Sequence, residues 1–196
     1  AISPASYTDM LRRSYNAIKA SNPNTLVISG APAPTGFFGG CSGAGCDDAP
    51  FLQGMVAAGA INVMDCVGLH YNEGAVSPLQ TSGDTRNPFY TRYYRGMVDT
   101  YNSIFGFQRP LCFTELGYLS SEGYPPLPAG FEFGAGTSVA EQAQWLDEAV
   151  AQAPRDNVRL LIVWNVDFQS YGADPQAGYA IIRPDGSCPA CNALAN

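Results

Sequence analysis

Pro110-Leu111-Cys112-Phe113-Thr114-Glu115-Leu116-Gly117-Tyr118 reads as a short buried strand that ends on a carboxylate. Strand side chains alternate with period two, so Leu111, Phe113 and Glu115 share one face. An acid directly after a buried apolar run is costly unless it is paired or functional. Gly117 is expected to turn the chain sharply, and Tyr118 to offer an aromatic surface beside the acid. The carboxyl ends of parallel strands are where α/β proteins bind ligands. Glu115 is therefore the first candidate for chemistry. The plain alternative is a strand-ending glutamate that points into water.

Outward from this stretch, helix-like and strand-like segments alternate. Residues 4–20 read as a helix with Ser3 able to cap it and Pro4 in its first turn. Tyr7, Met10, Leu11, Ser14 and Ile18 fall on one stripe of it. Residues 25–29 form an apolar strand, and Asp48 caps a helix over 49–58 that Gly59 closes. A second strand over 64–70 ends in Leu69-His70-Tyr71-Asn72-Glu73. Asn87 and Pro88 open a third helix carrying Tyr90, Tyr94, Met97, Val98, Tyr101 and Phe105, which Gly106 stops. A long aromatic loop covers 119–137, a length that usually marks function. Ser138 and Glu141 then make a capping box for a helix to Ala153. The fourth strand, 158–166, ends Val163-Trp164-Asn165-Val166, and the tail reads as a hairpin about Asp185-Gly186 followed by a short helix or coil.

Alternation of this kind means a parallel sheet with right-handed crossovers. The expected fold is α/β, a parallel (β/α) half-barrel in a single domain over 1–196, with the hairpin and tail at about 170–196. A small doubly wound sheet is the other arrangement that four such steps allow. The glycines between Gly39 and Gly45 lack the dinucleotide-binding spacing and do not open a helix.

The net charge of −7, with Lys19 the only lysine, argues against nucleic acid or an anionic membrane surface as partner. No apolar run is long enough to span a bilayer. Ala1-Ile2-Ser3-Pro4 has neither a basic nor an apolar leader region, so the sequence shows no signal peptide; one already removed, or a longer parent chain, fits equally. Cys41 and Cys46 bracket a glycine-rich loop, and Cys188 and Cys191 bracket Pro189-Ala190. Local pairs in loops are expected to be disulfides, which favours an extracellular or periplasmic setting. A shared four-cysteine zinc site and a redox Cys-Pro-Ala-Cys are the alternatives, and irregular spacing and the tail position count against them. Cys66 and Cys112 lie in strand-like runs, on opposite faces by parity with His70 and Glu115, and are expected to be buried free thiols. No metal or cofactor is expected.

The strand ends give a set: His70-Tyr71, then Glu115 with Tyr118, then Trp164. In order and spacing this resembles the C-terminal half of a retaining glycoside hydrolase of the large (β/α)8 clan that includes xylosidases, arabinosidases, cellulases and β-galactosidases. The resemblance covers nearly the whole chain and implies strands five to eight of the barrel. It implies Glu115 as nucleophile after Phe113-Thr114, His70 or Tyr71 positioning it, and Trp164 with Tyr118 stacking on sugar. The clan's acid/base glutamate follows an asparagine on the fourth strand, which has no counterpart here. Asn72-Glu73 is the only Asn-Glu pair, which makes Glu73 a weak candidate for that role.

The resemblance implies a β-linked carbohydrate ligand and a partner that closes the barrel, either a missing N-terminal half or a second copy. A catalytically silent sugar-binding half-barrel and a structural assembly domain are the competing functions. His70 as a satisfied core histidine and Trp164 as packing are the bland readings of those residues.

Overall fold

The computed structural model describes residues 2–86 and 88–195. The chain divides into two compact units: Ala1–His70, Val98–Thr114 and Asn157–Leu160 in the first, and Tyr71–Met97, Glu115–Asp156 and Leu161–Asn196 in the second. Three strands run through both: β1 (Val67–Gly74), β2 (Leu111–Tyr118) and β3 (Val158–Val163), in the order β1-β2-β3. They are parallel and joined through helices. This is the expected α/β class, with one strand fewer among the described residues than the sequence reading supposed.

In the first unit, α1 spans Pro4–Ser21; the Ser3 hydroxyl accepts the Ser6 amide and Pro4 opens the helix. Its buried residues are Thr8 and Leu11, whereas Met10 is 52% exposed. The apolar stripe is thus rotated from the one expected, because Thr8 hides its hydroxyl by donating to the Pro4 carbonyl at 2.8 Å.

Helix α2 (Asp48–Ala57) begins one residue earlier than expected, with Asp47 at the cap position but no side-chain cap bond. The Asp47 carboxylate instead accepts the amides of Gly40 (2.8 Å) and Phe38 (3.1 Å), and those bonds, Gly40 first, lower its pKa. Asp48 accepts the Tyr101 hydroxyl at 3.0 Å. Both acids serve the preceding loop and a neighbouring helix rather than the helix end.

The expected strand at 25–29 is reduced to one parallel bridge between Ile28 and Cys66. Side chains have taken two of the segment's backbone bonds. Lys19 donates to the Thr25 carbonyl at 2.8 Å, and the Asp65 carboxylate accepts the Val27 amide at 2.8 Å.

Cys66 and Cys112 form a disulfide with Cα atoms 5.9 Å apart, within the usual span, which corrects the expectation of two free thiols. The parity argument failed because Cys66 sits just outside β1, in the bridge to Ile28, where strand alternation does not extend. Cys41–Cys46 and Cys188–Cys191 are disulfides as expected, and none of the six cysteines is free. Three disulfides fit an oxidising environment.

The third helix is shorter than expected. Asn87 lies outside the described residues; a 3-10 turn covers Tyr90–Arg92, Tyr93 is extended, and α3 runs over Tyr94–Ile104. The Arg92 carbonyl accepts the Tyr71 hydroxyl at 3.1 Å, which helps hold the chain out of helix at this point.

In the second unit, α4 (Val139–Gln152) carries the full capping box between Ser138 and Glu141. Its buried Gln142 donates to the carbonyls of Tyr118 (2.6 Å) and Gly178 (3.1 Å), pinning the end of β2. The tail has the turn at Asp185-Gly186, closed by Arg183 N–H to the Ser187 carbonyl at 2.8 Å, but no flanking strands among the described residues. Helix α5 (Pro189–Leu194) follows and packs on α4. No described helix is long and apolar enough to cross a membrane.

Candidate active site

Strand β2 carries half-buried Glu115 as the fifth of its 8 residues; it does not end on the acid, as expected, but runs on through the fully covered Leu116, Gly117 and Tyr118. Strand β1 runs four residues past His70, to Gly74, and so brings Asn72 onto regular strand. The Asn72 side-chain amide donates to Glu115 Oε2 at 2.8 Å. Tyr179, only 4% exposed, donates its hydroxyl to the Asn72 carbonyl at 2.7 Å. Burial raises the Tyr179 pKa, so the phenol remains a donor through the ordinary pH range.

Trp164 lies one residue beyond β3, with its amide on the Leu116 carbonyl at 2.8 Å, so it is registered beside the residue after Glu115. Its indole N–H donates to Gln176 Oε1 at 2.9 Å, which fixes the ring, and the ring is half-exposed. The Trp164–Asn165 peptide bond is cis. A Cβ on Gly117 would collide with the Trp164 carbonyl oxygen. Gly117 therefore does not turn the chain, as the sequence reading had it; it lets two strand ends approach.

The residues of odd number on β1 and of even number on β2 point the other way. Tyr71 and Tyr118 are 1% and 0% exposed, with ring centroids 5.7 Å apart, edge to face. Tyr94 packs on Tyr71 and Trp145 on Tyr118 in the same manner. Both rings expected at the site are thus in an aromatic core, and burial raises both hydroxyl pKa values. Alternation alone predicts this: Tyr118 is three residues from Glu115 and Tyr71 one from Asn72.

Glu73 shares the side of Tyr71, not of Asn72. Its carboxylate is paired with Arg92 and lies 3.8 Å from Arg86. Arg86 in turn chelates Asp84 through Nε at 3.0 and 3.2 Å and covers the Phe133 ring at 4.4 Å. Burial would raise the Asp84 pKa, but the Arg86 bonds outweigh it and lower it. The Arg92 pKa is lowered by burial. Glu73, Arg86 and Arg92, with Thr85, Gly130, Glu132 and Phe133, line a charged groove.

His70 falls in the first unit, half-buried on β1. Among the described residues no group of three or more His, Cys, Asp or Glu could hold a metal ion.

Asn72 and Tyr179 are the residues that the sequence reading missed. Asn72 was legible as the second residue on the His70 parity, had β1 been taken two residues further. Tyr179 carries no local signal, since it acts across 107 positions.

No protein-family model matches this sequence, and no curated protein matches it. Solved structures do share the fold. A GH128 (subgroup II) endo-β-1,3-glucanase from Sorangium cellulosum aligns over 100% of this chain and 63% of its own, with TM-score 0.62 and 22% identity. A family 39 glycoside hydrolase from Bacteroides cellulosilyticus WH2 aligns over 96% of this chain and 36% of its own, with TM-score 0.58 and 19% identity. A GH51 arabinofuranosidase from Xanthomonas axonopodis pv. citri aligns over 99% and 38%, with TM-score 0.55 and 17% identity. The chain thus spans less than two thirds of each of these glycoside hydrolases, and that partial coverage fits a half-barrel.

Proposed function

We propose that this chain carries the nucleophile side of a retaining glycoside hydrolase site for β-linked carbohydrate, with Glu115 as nucleophile. The observation that supports it most is the Asn72-held carboxylate on the central parallel strand. In this reading Glu115 attacks the anomeric carbon, a glycosyl ester forms as the leaving group departs, and water then releases the sugar. Trp164, fixed by Gln176 and open on its ring, floors the sugar. Tyr71 and Tyr118 act by packing the layer behind the site.

The proton donor is the missing part. A retaining pair stands roughly 5–5.5 Å apart. Every other glutamate is committed: Glu73 to arginines, Glu122 to the Val139 amide, Glu132 to the Gly130 amide, Glu141 to its capping box and Glu148 to Ser77. A proton on Glu73 would break its ion pair. We therefore place the acid/base on a partner half-barrel, supplied by the rest of a longer chain or by a second copy. The paired cysteines favour an extracellular or periplasmic protein.

An activated 2-fluoro aryl glycoside tests this without needing the proton donor, because the aryloxide leaves unaided. Intact mass and peptide mapping should find one sugar on Glu115 and none on Glu115→Gln. Reversible binding without labelling would favour a silent sugar-binding half-barrel. Neither binding nor labelling would favour an assembly role.

A further inference from the structure

Strand alternation puts the Asn72 and Glu115 side chains on one face of the sheet, where Asn72 Nδ2–H donates to Glu115 Oε2 at 2.8 Å. Its backbone is held from behind by the Tyr179 hydroxyl at 2.7 Å. The other end of the amide, Oδ1, is buried and has no donor among the described residues. That fixes the amide's orientation, since exchanging its ends would aim an acceptor at a carboxylate. A buried acceptor without a donor is destabilising, and a side chain kept in spite of it calls for a reason beyond packing.

We infer that Asn72, fixed by Tyr179, is the positioning residue of the Glu115 carboxylate, a role that rests on the reading of Glu115 as nucleophile. Its bond to Oε2 sets the orientation in which the carboxylate meets the anomeric carbon. When the glycosyl ester is later broken, the carboxylate is the leaving group, and the same N–H stabilises the charge returning to it.

Asn72→Leu tests the role, because it removes the donor and the unsatisfied Oδ1 together while keeping the side-chain volume. The melting temperature should hold or rise, while the maximal labelling rate with the 2-fluoro aryl glycoside falls roughly 10- to 100-fold at unchanged half-saturation. A lower melting temperature with labelling intact would mean a structural asparagine and would overturn the inference. Asn72→Asp should move the acidic limb of the labelling profile to higher pH, since two carboxylates at hydrogen-bond distance share a proton; an unmoved limb counts against the pair.

Side-chain amide NMR of the full chain adds an arm that needs no chemistry. Glu115→Gln should shift the Asn72 amide resonances, and no shift overturns the pairing whatever the labelling does. A clear shift in a protein that never labels would support the pairing and sink the nucleophile reading instead.

Discussion

Strands β1 and β2 are joined by side chains near both of their ends, and the two joints are built differently. Near the amino end, Cys66 and Cys112 are fully buried and covalently bonded. Near the carboxyl end, half-buried Asn72 and Glu115 share one hydrogen bond, and Asn72 Oδ1 has no donor among the described residues. The first joint constrains the chain and asks nothing of its surroundings. The second orients a carboxyl group and leaves a buried acceptor unpaired, which costs stability. The two joints thus differ in kind, one covalent and buried, the other polar and half-buried.

Breaking the covalent joint should have the largest effect on stability. Cys66→Ala with Cys112→Ala removes a cross-link between residues 46 positions apart. The expected loss is about 2–5 kcal/mol. In a chain of this size that lowers the melting temperature by roughly 5–20 °C. Labelling of Glu115 below that temperature should be retained. An unchanged melting curve would mean that packing alone holds the joint and would erase the contrast.

Local signals in the sequence were legible and long-range ones were not. The Ser138–Glu141 capping box and the Ser3 cap were readable because each is made within three residues. The strand carrying Glu115 was readable from its apolar run, but its end was not: three buried residues follow the acid. The end of β1 was not readable either: Asn72, Glu73 and Gly74 are weak strand formers, and pairing with β2 overrides their preference. The loss of strand at 25–29 depends on Asp65, 38 residues away, capturing the Val27 amide. Tyr71 and Tyr118 were misplaced because alternation was applied to Glu115 but not to its aromatic neighbours.

Gly117→Ala sharpens the comparison from the chemical end. The new methyl would strike the Trp164 carbonyl, a backbone atom that cannot swing aside. An overpacked contact of this kind costs about 1–3 kcal/mol. Relief requires Trp164 to move, so sugar affinity should fall more than stability, and titration calorimetry beside a melting curve would separate the two. If stability falls while sugar binding holds, Trp164 is packing only.

The smallest effect concerns charge in the first unit. Lys19 Nζ stands 2.6 Å from Asp65 Oδ2, and Asp65 also accepts the Val27 amide. Burial alone would raise the Asp65 pKa above its ordinary 3.8, but the bond and charge of Lys19 and the Val27 amide outweigh it, and the pKa is lowered. A carboxyl lowered on folding stabilises the native state at pH above the unfolded value, about 3.9, and loses that contribution as pH falls through the folded value. Asp65→Asn keeps an acceptor for Val27 and removes only the charge. At pH 7 it should destabilise by about 1 kcal/mol or less, the scale of a partly exposed pair, which is a melting shift of roughly 2–4 °C. The gap between variant and wild type should close below pH 4 and narrow in high salt at neutral pH. Labelling at Glu115 should not change at any of these conditions. No gap at any pH or salt would show that Asp65 acts through its hydrogen bond to Val27 alone. A change in labelling would show that the charge of the first unit reaches the chemistry.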